Sequence, residues 1–92
     1  MPPASFDFLV LSLRTQAEME MGLLRFGMEE EEKVPVDLNR ARHFIDLLAM
    51  LEEKTRGNLS LEEKRLIENS LTELRFRYLQ AAEDAKKTSA AP

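Results

Sequence analysis

His43 and Asp46 stand three residues apart in "HFID", a spacing that puts two side chains on one face of a helix and supplies half of a metal site. The other half is missing. His43 is the sole histidine and the chain has no cysteine, so the pair reads as two solvent-facing residues, and acid–base catalysis at His43 lacks partner groups. Glu29, Glu30, Glu31 and Glu32 form an acidic run. A cation needs oxygens converging from several directions, whereas consecutive side chains diverge, so this run is expected to be a solvated loop. The stretch "RFRY" at 75–78 interleaves arginine with aromatics as single-strand binders do. On a helix Arg75 and Arg77 point about 200° apart, and Glu68 and Glu73 lie close enough to neutralise them. The expectation is a protein that is not an enzyme, with no catalytic residue, no metal ligand and no cofactor. Its alternative is an oligomeric bundle that holds a metal or small molecule with carboxylates such as Glu20 together with His43.

Composition narrows the partners. A net charge of −4 and a pI near 5.0 disfavour nucleic acid and anionic lipid, both of which call for a concentrated basic face. The apolar run in "MPPASFDFLVLSLRTQ" has no Lys or Arg ahead of it, is interrupted by Asp7, and falls well short of the roughly 20 apolar residues that span a bilayer. No membrane segment is expected, and a cysteine-free chain points to the cytoplasm. With 92 residues, 43% hydrophobic and 33% charged, the chain is expected to form one small domain. A domain of this size buries only about 60 to 65% of its unfolded surface, so association with another subunit is a common remedy.

Three helices are expected, at about 6–26, 38–56 and 61–82, between a 1–5 tail and a frayed or disordered 83–92 tail. Ser5 caps the first and Gly27 is its expected stop. At about 100° per residue, Phe6, Leu9, Val10, Leu13, Ala17, Met21 and Leu24 share a core-facing stripe. Phe8, Met19, Leu23 and Phe26 make a second apolar stripe, leaving a narrow charged band with Asp7, Arg14, Glu18 and Arg25. Glu20 intrudes near the main stripe, either at a bundle end or as a register-setting group in a partner contact.

Asp37 caps the second helix, whose one-sided stripe is Leu38, Ala41, Phe44, Ile45, Leu48 and Leu51, broadened by Leu47. Gly57 ends it, and "SLEE" at 60–63 is a capping box that starts the third helix. So short a turn makes the second and third helices antiparallel neighbours. Ile67, Leu71, Leu74, Tyr78, Ala81 and Ala85 form the third helix's seam, while Phe76 falls on its polar side.

The fold class is therefore all-α: a helix 2–helix 3 antiparallel hairpin packed with a long N-terminal helix, duplicated by two-fold symmetry into a dimeric helical bundle. Its expected role is assembly or interaction, with self-association through Phe8, Met19, Leu23 and Phe26 and a further contact at exposed Phe76. A homodimer is the favoured partner state, and an unidentified protein is the other.

The block "IDLL-ML-EKT-GNL" falls on Ile45 to Leu48, Met50, Leu51, Glu53 to Thr55 and Gly57 to Leu59. The closing "L--LR-RY" falls on Leu71, Leu74, Arg75, Arg77 and Tyr78. Together with the apolar first helix "FLVLSLRTQAEMEMGLL", these resemble a family of small bacterial proteins described as domain of unknown function 1844. The resemblance implies the helical fold and a bacterial cytoplasmic setting, and it brings no catalytic residues to any position here.

Overall fold

Three helices form the described part of this computed structural model, which covers residues 4–22 and 36–90: α1, Phe6–Glu20; α2, Leu38–Lys54; and α3, Leu61–Ala90. No strand occurs among the described residues. Each helix begins where a side chain satisfies an otherwise orphaned backbone N–H. The Ser5 hydroxyl accepts from Phe8 N–H at 3.1 Å, and the Asp37 carboxylate accepts from Arg40 N–H at 3.0 Å. At α3 the capping box is complete: Glu63 N–H donates to the Ser60 hydroxyl at 3.1 Å, and Ser60 N–H donates to the Glu63 carboxylate at 2.8 Å.

α1 stops at Glu20, six residues before the expected end. Gly22 takes the left-handed conformation that turns the chain there, with φ of +74°. The turn is fixed from outside as well, because Asp37 N–H donates to the Glu20 carbonyl at 2.8 Å and a Cβ on Gly22 would press on Val36 at 3.1 Å. The start of α2 thus seals the end of α1. Leu23, Leu24, Arg25, Phe26, Gly27 and the run Glu29 to Glu32 lie outside the described residues.

α2 ends at Lys54 rather than Arg56, as the Thr55 hydroxyl donates back to the Leu51 carbonyl at 2.7 Å and Gly57 reverses the chain at φ +87°. The largest departure is α3, which runs to Ala90 and includes 83–90, expected as tail. The stretch "AAEDAKK" is made mostly of good helix formers, and no glycine or proline interrupts it before Pro92. At 30 residues α3 is roughly 45 Å long and sets the 51 Å long dimension of the molecule.

The core is where the three apolar stripes meet. α1 contributes Val10 and Ala17, with Met21 just past its end; α2 contributes Ala41, Ile45 and Leu48; α3 contributes Ile67, Leu71 and Leu74. Phe6, Leu13, Phe44, Leu51 and Tyr78 pack around them. One member of the expected α1 stripe departs: Leu9 is 44% exposed. It lies about 100° round the helix from Val10, which carries it onto the shoulder of α1.

Candidate interaction surface

The two flanks of α1 have opposite chemistry. On the flank toward α3, Arg14 reaches three groups: Glu18 at 3.3 Å, the fully buried Ser70 hydroxyl at 3.5 Å, and Glu73 at 2.6 Å. Glu73 also accepts from Arg77 one turn on, through Nε at 3.2 Å and Nη2 at 3.1 Å. The Arg77 hydrogen bond first, and the nearby Arg14 charge next, hold the Glu73 carboxyl below its usual value of 4.5. Arg14 thus makes the middle of the charged band an inter-helix contact, with Glu18 beside it, while Asp7 of the same band is exposed. Among the described residues no buried side-chain nitrogen or oxygen lacks a partner.

The outward face of α1 holds no charged residue. Phe8, Ser12, Thr15 and Met19 lie within about 60° of one another around the helix, with Leu11 on one edge and Leu9 and Gln16 on the other. Phe8 is 46% and Met19 50% exposed, so both expected contact residues stand on the surface of the single chain. Around Phe8 the surface is shallow and apolar, bordered by Ser5, Phe6, Leu9 and Ser12. Phe76 is 61% exposed but belongs to a different surface, since it lies about 200° round α3 from buried Leu74. Leu23 and Phe26 fall outside the described residues, so the structure brings together only Phe8 and Met19 of the expected set.

His43 is exposed with its ring edge-on to Phe44, and exposed Asp46 faces Arg42 at 3.9 Å. Among the described residues no group of three His, Cys, Asp or Glu side chains is placed to share a metal ion. Glu20 sits at the bundle end, where its carboxylate accepts from Arg40 Nε at 3.0 Å and helps hold the α1–α2 junction. The two arginines of "RFRY" separate: Arg77 turns to Glu73, and Arg75 lies with Arg42, Asp46, Ile45, Tyr78 and Leu79 along a groove between α2 and α3. No helix among the described residues is long and apolar enough to cross a membrane.

The reach of Arg14 to Ser70 and Glu73 is the feature that reading the sequence missed, while the Glu73–Arg77 pairing was expected. Its trace was the spacing of Ser70, Glu73 and Arg77, a polar stripe running beside the Ile67–Leu71–Leu74 seam.

A compact all-α chain with a helix hairpin and a capping first helix is the class defined by this geometry. Within it, the chain belongs to the family described as Domain of unknown function (DUF1844), whose model matches residues 3–80. No curated protein and no solved structure matches the chain.

Proposed function

We propose that this chain is a non-enzymatic helical interaction module of the bacterial cytoplasm that self-associates into a dimer through the outward face of α1. The observation that carries this reading is the uncharged outward face, with Phe8 and Met19 half exposed at its two ends, on a chain of net charge −4. Large apolar side chains grouped on one surface mark association sites far more often than scattered ones do. A cysteine-free chain also folds without an oxidising compartment.

Light scattering after gel filtration, over a tenfold concentration range, tests it directly. The wild-type chain is expected to approach twice its 10.6 kDa mass at the upper concentrations. The variants Phe8→Glu and Met19→Glu are each expected to remain at one chain mass with unchanged helical circular dichroism. A wild-type monomer throughout the range, or variants that associate like wild type, would remove α1 as the contact.

A further inference from the structure

We propose that Met21 is an oxidation-sensitive latch on the α1–α2 junction: a peroxide converts it to the sulfoxide when the end of α1 opens, and the sulfoxide then holds the junction apart. Three methionines lie among the described residues, in unlike surroundings. Met19 and Met50 are half exposed, whereas Met21 is 4% exposed and belongs to a core cluster made wholly of apolar side chains. Only two residues separate Met19 from Met21, which places them on nearly opposite sides of the end of α1, one toward water and one toward the core.

Position sets Met21 apart from an ordinary core residue. It follows α1 directly, where few bonds close the chain: its N–H donates to the Ala17 carbonyl at 3.1 Å, Gly22 N–H to the Met19 carbonyl at 3.0 Å, and Asp37 N–H to the Glu20 carbonyl at 2.8 Å. The Arg40–Glu20 ion pair across the same junction is exposed on its arginine side, and such surface pairs add little. Helix ends open locally more readily than helix middles, so a peroxide reaches Met21 without unfolding of the whole chain. In the reaction the O–O bond of hydrogen peroxide breaks, one oxygen passes to the thioether sulfur and water leaves; the sulfur is oxidised by two electrons and the peroxide reduced by two. The new oxygen is a hydrogen-bond acceptor. Closing it back among apolar neighbours would leave it without a donor, so the oxidised side chain favours the open junction. At Met19 or Met50 the same oxygen stands in water and costs the fold little. A 15-residue helix released from its partners is marginal in water, so opening of the junction reads as lost helix.

Hydrogen peroxide added to the full chain at neutral pH tests this, with each sulfoxide assigned by fragment mass spectrometry and helical circular dichroism followed over the same time course. Met50 is the exposed reference: it lies on α2, off the face proposed for self-association, so the readout does not depend on that proposal. Met21 is expected to oxidise on the order of tenfold more slowly than Met50, and the helical signal to hold while Met50 reacts and to fall in step with the Met21 sulfoxide. The variant Met21→Leu conserves volume, and after complete oxidation it is expected to keep its helical signal. The two epimer-specific methionine sulfoxide reductases, with dithiothreitol, are expected to restore the signal of the oxidised wild-type chain. Oxidation of Met21 as fast as Met50 would mean that no closed junction guards it. Full oxidation of Met21 with the helix intact, or an equal loss of helix in the Met21→Leu chain, would mean that its sulfoxide does not part the junction. A signal that the reductases fail to restore would mean damage and not a latch. Each of these outcomes overturns the proposal.

Discussion

Arg14 and Met19 are both long side chains on α1, yet their surroundings share nothing. Arg14 is enclosed against α3 by Glu18, Ser70 and Glu73, whereas Met19 is half exposed on a face without charge. At the composition of this chain, an outward face of seven positions would hold about two charged residues if it were built only for water. It holds none. The charges of α1 lie off that face: Arg14 finds its counter-charges in Glu73 of α3 and Glu18 of its own helix, and Glu20 finds its counter-charge in Arg40 of α2. One helix thus presents two different surfaces, a charged flank matched within the chain and an uncharged face turned outward.

Substitution on the two sides separates them. Val10→Asp places an unpaired carboxylate in the fully buried core and is expected to cost about 4 kcal/mol or more, enough to leave a domain of this size largely unfolded by circular dichroism. Met19→Asp on the same helix is expected to leave the melting temperature of the dilute chain nearly unchanged while association is lost. If both melt alike, the outward face is not separate from the core. A milder pair sharpens the contrast: Ala17→Leu overpacks a closed site and is expected to destabilise by roughly 1 to 3 kcal/mol, whereas Thr15→Leu has room around it. Chemical denaturation of the two variants side by side measures the difference. Equal losses would mean that Thr15 is already enclosed.

Features set by neighbouring residues were legible in the sequence. Ser5, Asp37 and the Ser60–Glu63 box cap their helices as expected, because a cap is decided within four residues of itself. The α2 stripe was equally plain, since Ala41, Ile45 and Leu48 are buried along it and Met50 is the exception, exposed on the far side. The end of α1 was not, because Gly22 and Gly27 both qualify as stops and the apolar pattern runs through the first. What selects Gly22 is the return of Val36 and Asp37 against it, a contact between segments. The helix at 83–90 is hard to read for a different reason: past Ala85 no large apolar residue marks a face, and helix propensity is the signal that remains there. The Arg14–Glu73 contact could be paired only once α1 and α3 were known to be neighbours, which no local pattern states.

The smallest expected effect probes the charged flank. Glu73 titrates below 4.5 in the folded chain because Arg77 and Arg14 favour its ionised form, while in the unfolded chain it returns to the ordinary value. Between those two values the unfolded state binds more protons than the folded state, so stability must decline as pH falls through that window. The contribution is fully present above about 4.5 and absent below the folded value. Other carboxylates titrate in the same range, so the test is a difference: denaturation midpoints of wild type and Glu73→Gln, measured from neutral pH down through pH 4. The two curves are expected to lie furthest apart at neutral pH and to converge as the solution becomes acidic, with added salt narrowing the gap because Glu73 is partly open to solvent. The outward face has no titrating side chain, so association measured well above this window should show no matching dependence on Glu73. Curves that stay parallel down to pH 3 would mean that the Glu73 charge adds nothing to the α1–α3 contact, and the buried Ser70 hydroxyl would be left as the group that draws Arg14 inward.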